Sequence, residues 1–230
     1  RIRIILPWVF RDKIMIKVDR KNVYLMANYS RNMVSTYRIQ ELVSDDIEIS
    51  VTCKPDWKKI IESGHNYTGV VCFNGAHFGI LCKVYAGQAV ISAEVWTDHG
   101  GENMVNEAFV YVDRDLDDDW RDIKLVYKKD KSISIETTEG YDEKELLGKT
   151  LDYSNAYMWI GCCDNHKPTP FEYQGNWTGQ IKKIHIKGKD KYFGKYEFKK
   201  KTRYKIYDSS GNGNHLISKY LNDEGHIIIY

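Results

Sequence analysis

Apolar and polar side chains alternate with period two along almost the whole chain. The alternation predicts strands at residues 3–6, 13–18, 23–27, 47–53, 67–73, 78–85, 88–96, 108–113, 122–128, 132–137, 157–162, 179–186, 195–198 and 227–230. Turn signals separate them at 19–22, 74–76, 86–87, 99–101, 129–131 and 187–190. Strands punctuated this often belong to an all-β sandwich or barrel rather than to alternating strand and helix. In W-R-D-I-K-L-V-Y (120–127), Ile123, Leu125 and Tyr127 share one face, and Asp122, Lys124 and Val126 the other. Trp120, which opens this strand, is expected in the core. In G-Q-I-K-K-I-H-I the apolar phase slips between Ile181 and the pair Ile184 and Ile186, and a bulge at Lys182 and Lys183 would reconcile the two registers.

Helix signals are few. Residues 56–62 could form two turns, with Asp56 as N-cap after Pro55 and Gly64 as the stop. Residues 142–147, D-E-K-E-L-L before Gly148, are the other candidate. Between Lys187 and Arg203, 8 of 17 residues are Lys or Arg, which reads as a solvated sheet edge blunted against further pairing.

Composition narrows the class. A chain of 230 residues fits one large β-domain, here taken as 1–230, with 190–230 supplying closing strands and a loop. Aromatic residues, favoured on pleated half-buried surfaces, make up 13%. The 34 basic and 32 acidic residues leave a net charge of +2, against the strong basic excess of a dedicated nucleic-acid binder. No run of some 18 apolar residues exists to span a membrane as a helix. The five cysteines follow no metal or disulfide spacing, and Cys53, Cys72 and Cys82 sit in apolar runs as buried free thiols would. Cys162 and Cys163 are adjacent, so a bond between them would need a strained ring. Free thiols favour synthesis and assembly in a reducing compartment, with final residence on an extracellular surface or in a virion.

The segment from Ile47 to Ile186 resembles the laminin-G-like, concanavalin-A-like lectin jelly roll. The likeness lies in ordered landmarks: I-E-I-S-V-T-C-K-P (47–55), Y-T-G-V-V-C-F (67–73), H-F-G-I-L-C-K-V (77–84), D-D-W-R-D-I-K-L-V-Y (118–127) followed by S-I-S-I-E-T, Y-M-W-I-G (157–161) and W-T-G-Q-I-K-K-I-H-I (177–186). The resemblance implies a two-sheet antiparallel β-sandwich with one or two short helices. A string usual near the start of such domains, G-K-Y-E-F…Y-D-S-S-G-N-G-N-H, here falls at residues 194–215. It therefore either closes the same sandwich in permuted order or begins a second copy, and closure is the preferred reading.

The catalytic members of that superfamily carry E-x-D-x-x-E on one strand face, with the carboxylates roughly 5 Å apart. The nearest string here is E-V-W-T-D-H-G-G-E, where Glu94 and Asp98 would lie roughly 13 Å apart along a strand. A glycosidase is thus the third reading, and a non-enzyme the first. No cofactor is required. The family's habit of binding calcium through loop oxygens makes Asp113, Asp115, Asp117 and Asp208 weak candidate ligands. Aromatic plates beside polar groups suit carbohydrate, whose C–H faces stack while its hydroxyls hydrogen-bond. On that ground Trp96, Asp98, His99, Glu102, Trp159, Tyr173 and Trp177 are the candidate ligand-binding residues. The leading expectation is a recognition module for a glycan or a protein surface within a larger polypeptide. The alternative is a structural or adhesion domain of a phage or viral particle.

Overall fold

The computed structural model describes residues 46–62, 67–73, 78–112, 119–153, 157–161, 179–189, 192–197, 205–218, and the strand backbones at 15–18, 23–27, 33–38, 201–202 and 228–229. Among them the strands make two sheets. The first (sheet A) runs, side by side, Tyr141–Glu145 (β11), Ser132–Glu136 (β10), Arg121–Lys128 (β9), Ile47–Pro55 (β4), Gly179–Lys187 (β14), Val23–Ala27 (β2), Met15–Val18 (β1) and Ile228–Ile229 (β19). All these pairs are antiparallel except β1 with β19. The second (sheet B) runs Lys149–Thr150 (β12), Gln88–His99 (β7), Phe78–Tyr85 (β6), Tyr67–Phe73 (β5), Tyr157–Ile160 (β13), Met33–Arg38 (β3), Leu216–Ser218 (β18), Lys205–Ile206 (β17) and Lys201–Thr202 (β16). Glu102–Val112 (β8) pairs with β7, and Tyr192–Tyr196 (β15) with the second half of β14.

One apolar core joins the inner faces. Ile49, Val51, Ile123, Leu125, Ile184 and Ile186 come from sheet A, and Phe73, Phe78, Ile80, Ile91, Ala93 and Val95 from sheet B. Phe78 touches Tyr127 across the interior at 5.3 Å between ring centroids and Phe73 within its own sheet at 5.3 Å. Each of these valine, leucine, isoleucine and phenylalanine side chains contributes about 1.5–3 kcal/mol by leaving water. The chain is an all-β, two-sheet antiparallel sandwich. The short helix Trp57–Glu62 (α1) starts where Asp56 accepts the Lys59 N–H at 3.1 Å, and it buries Trp57 and Ile60.

The alternation places β5 and β6 at the expected bounds, and the slip in β14 is a bulge at Lys182: Ile181 faces Cys53 while Lys183 faces Thr52. Two expectations are corrected. Residues 142–147 are not a helix: Tyr141–Glu145 forms an edge strand whose register with β10 is set by the turn at 137–140. Trp120 is not a core residue but 36% exposed, and Arg121 takes the inward place at 1%. Period two requires this, because Arg121, Ile123, Leu125 and Tyr127 share parity and Trp120 does not.

The C-terminal strands join both sheets, β15 against β14 and β18 against β3. The strand expected at 195–198 runs instead from Tyr192 to Tyr196, where Gly194 is required because a Cβ there would collide with the Tyr196 ring. Tyr196 is buried and its hydroxyl donates to the Asn214 carbonyl at 2.7 Å. Strands β3, β12, β16, β17 and β18 have no counterpart in the alternation reading.

Candidate functional site: the outer face of sheet A

The inward parity of Ile47, Ile49, Val51, Ile123 and Leu125 forces their neighbours outward. Pairing then sets those neighbours in rows. One row is Lys183, Thr52 and Asp122; the next is His185, Ser50, Lys124 and Glu136. The rows floor an open groove of about 370 Å³, walled at one end by Thr137 and Thr138 in the β10–β11 turn and at the other by Lys183. From β14 to β10 is three inter-strand steps, about 14 Å.

Within the groove some groups are committed and others are not. The Thr52 hydroxyl donates to Asp122 at 2.5 Å, and Lys124 reaches Glu48 at 3.1 Å. Ser50, Glu136 and Lys183 have no side-chain hydrogen bond or ion pair among the described residues. Partial burial, then the charge of Lys183, draws His185 below its ordinary pKa. The His185 ring itself does not line the groove: it lies edge-on to Tyr192 at 6.1 Å between centroids, with Nε2 3.8 Å from the Glu197 carboxylate.

The Thr137 and Thr138 wall is held by an ion pair between the buried Arg121 and the solvent-accessible Glu139. Arg121 Nε donates to Glu139 Oε1 at 2.7 Å, and its guanidinium also reaches the Asp119 carbonyl at 3.4 Å. Burial alone would raise the Glu139 carboxyl, but the hydrogen bonds from Arg121 and Thr138 outweigh it and hold it below the usual carboxylate range. Trp120, immediately before Arg121, lies on the outer side with Lys182 Nζ 5.7 Å from its ring centroid. Sequence reasoning missed this groove, because its floor joins residues about seventy positions apart that only register brings together.

The residues singled out from sequence scatter. Trp96 and Asp98 share the outer face of β7, whereas His99 and Glu102 pair across the Gly100 and Gly101 turn with the opposite parity. Asp98 is occupied in that turn, accepting the Gly101 N–H at 2.7 Å. Trp96 is half-buried, and its backbone N–H and carbonyl both bond the Tyr153 hydroxyl, at 3.2 and 3.1 Å. Trp159 lies three strands away opposite Cys72 and is only 5% exposed, so its ring is enclosed. Tyr173, Trp177, Asp113, Asp115 and Asp117 fall outside the described residues.

Asp208 belongs to a closed turn. Its carboxylate accepts the N–H of Lys195 at 2.8 Å, of Ser210 at 2.9 Å and of Asn214 at 3.2 Å, and the Ser210 hydroxyl at 2.6 Å. Among the described residues no three His, Cys, Asp or Glu side chains converge as a metal site would require. Glu94 is buried against Lys83, which also lies 3.1 Å from Glu107. Cys53, Cys72 and Cys82 are buried free thiols, and burial pushes Cys53 and Cys82 far above the ordinary thiol range.

The outer face of sheet B differs. Cys72, Leu81, Val90, Ser92 and Glu94 are all buried there, and Cys72 and Leu81 form a second small apolar cluster with Tyr67 against it. Among the described residues this face opens at Tyr85 at the end of β6 (65% exposed), at Asp98, and along β8 at Val105 (47%), Phe109 (37%) and Tyr111 (49%), with the last two rings in edge contact at 5.4 Å. The signal was present in M-V-N-E-A-F-V-Y-V, where apolar residues occupy both faces.

No protein-family model matches the chain, and no curated protein matches it by sequence. Solved structures do match in overall shape. A heptameric SAP-like pentraxin from Limulus polyphemus is 13% identical over 74% of this chain and 77% of its own, at a TM-score of 0.44. Domains LG4-5 of the mouse laminin alpha1 chain are 10% identical over 75% of this chain and 46% of theirs, also at 0.44. The binding domain of botulinum neurotoxin DC in complex with SialylT is 10% identical over 73% of this chain and 37% of its own, at 0.39. The chain thus spans less than half of the laminin and toxin chains. This likeness is one of shape alone. At these scores and identities it carries nothing about ligands.

Proposed function

We propose that the chain is a non-catalytic recognition module whose ligand is a carbohydrate held on the outer face of sheet A. The observation that carries this reading is the groove itself. It is open, sugar-sized and floored by paired strands, and it presents a hydroxyl (Ser50), a carboxylate (Glu136) and an ammonium group (Lys183) with no side-chain hydrogen bond or ion pair among the described residues. Regularly spaced donors and acceptors on a stiff sheet lose little entropy on binding. The carboxylates that the sequence offered for sugar chemistry are engaged elsewhere, since Glu94 is paired with Lys83 and Asp98 closes a turn. The test is a glycan array with the whole chain and a Ser50→Ala, Glu136→Gln double variant. Retention of glycans by the parent and their loss by the folded variant is expected. No retained glycan, or equal retention by both, overturns the reading.

A protein surface is the second reading, favoured by one observation: the exposed Val105, Phe109 and Tyr111 stripe on β8. We also take residues 1–230 as one domain, since β15 and β18 pair with strands from the first two hundred residues. Deleting residues 190–230 is expected to leave an aggregating product. A monomeric truncation that melts at the parent temperature refutes the one-domain reading.

A further inference from the structure

Donors and acceptors are unevenly shared along the groove. Three of its donors are committed to the protein. The Thr52 hydroxyl donates to Asp122 Oδ1, the Thr138 hydroxyl to Glu139 Oε2 at 2.8 Å, and the Lys124 ammonium group is held by Glu48 at 3.1 Å. Thr52, Lys124 and Thr138 all line the groove, and a hydroxyl so committed offers a ligand only its oxygen lone pairs. The carboxylates are less engaged. Oδ2 of Asp122 and both oxygens of Glu136 have no hydrogen bond or ion pair among the described residues. Register sets these two carboxylates on a diagonal. Glu136 pairs with Lys124, two residues along β9 from Asp122, so the two backbones stand about 7–8 Å apart on the same outer face. The Lys183 ammonium group belongs to β14, three inter-strand steps or about 14 Å from β10. The corner between β9 and β10 thus holds two carboxylates and two accepting hydroxyl oxygens, with no uncommitted cation among the described residues. A ligand seated there has to bring the donors and the positive charge.

We propose that this corner is a subsite for an amino sugar whose amine is unsubstituted. The sugar's ammonium group would lie between the Asp122 and Glu136 carboxylates, and hydroxyls beside it would donate to the Thr52 and Thr138 oxygens. An ammonium group carries donors and no acceptor, which is the complement of this corner, and its hydrogen bonds to carboxylate are charge-assisted. An N-acetylated sugar brings a single N–H and no charge there, and an acidic sugar brings further acceptors. The proposal rests on the groove being a sugar site, and it adds the class of sugar and the corner that reads it.

The experiment is calorimetric titration of the whole chain, at pH 6 and low salt, with the trisaccharide of β-1,4-linked glucosamine and with its fully N-acetylated counterpart. The free-amine trimer is expected to bind about fivefold more tightly, because the carboxylates that read it are open to water, and the preference should fade in high salt. Glu136→Gln should bring the two affinities level. Glu145→Gln, which removes another exposed carboxylate four residues farther along the outer face in register, should keep the preference. Equal affinity of the parent for both trimers, lowered alike by Ser50→Ala, overturns the amine subsite and leaves sugar recognition standing. A preference that survives Glu136→Gln, or that Glu145→Gln removes equally, also overturns it. So does trilysine binding as tightly as the glucosamine trimer, since the corner would then read charge without sugar. Binding of neither trimer removes the subsite, and the array then decides separately whether the groove holds any glycan.

Discussion

The two sheets share one core and differ most on their outer faces. On sheet A the outward positions Glu48, Ser50, Thr52, Asp122, Lys124 and Glu136 are polar and reach solvent. On sheet B the equivalent positions Cys72, Leu81, Val90 and Ser92 are as closed as the interior. A closed face contributes to stability and has no room for a ligand. A wet lattice contributes little to stability and is free to bind. The difference leaves the outer face of sheet A as the one on which we propose recognition, and the covered part of sheet B as the one that serves stability.

That assignment can be broken by paired substitutions. Leu81→Ala on sheet B should cost about 2–5 kcal/mol, as in a core, and Ser50→Ala on sheet A should stay within about 0.5 kcal/mol. Urea midpoints of the two variants decide it, and similar losses would erase the contrast. A sharper pair lies in adjacent residues. Arg121→Ala empties a side-chain site that is 1% exposed and breaks its hydrogen bonds to Glu139 and Asp119, and should cost about 2 kcal/mol or more, whereas Trp120→Ala should cost about 1 kcal/mol at most, in part through its contact with Lys182. If Trp120→Ala proves the more damaging, the outward placement of Trp120 is wrong.

The alternation of polar and apolar residues carried much of this fold. Tyr67–Phe73 and Phe78–Tyr85 end where the pattern ends, and the Lys182 bulge was readable from the phase slip alone. Strand β11 was not readable, because at an edge facing water D-E-K-E can satisfy either period and its charges favour helix. Trp120 was misplaced by giving residue type precedence over parity. The groove was illegible for a different reason. Thr52 and Asp122, or Ser50 and Lys124, become neighbours only through the β4–β9 register, and a single sequence does not state which strands pair.

A smaller effect concerns acid. Glu139 is held below the usual carboxylate range when folded, so its contribution is complete above its unfolded value and is lost as pH falls through the lower folded one. Stability measured from pH 7 down to pH 3 should therefore show the parent's advantage over Glu139→Gln shrinking with acidification. A constant gap would mean that the pair with Arg121 does not shift that carboxyl.

The central claim is that ligand is read on the outer face of sheet A. Amide chemical shifts followed during titration with a glycan retained on the array test it most directly. Shifts confined to Ser50, Thr52, Asp122, Lys124, Thr138 and Lys183 are predicted, with Leu81 and Ser92 silent. Shifts concentrated at Val105, Phe109 and Tyr111, or at Asp98 to Glu102 in the β7–β8 turn, would contradict it and move the binding face to sheet B.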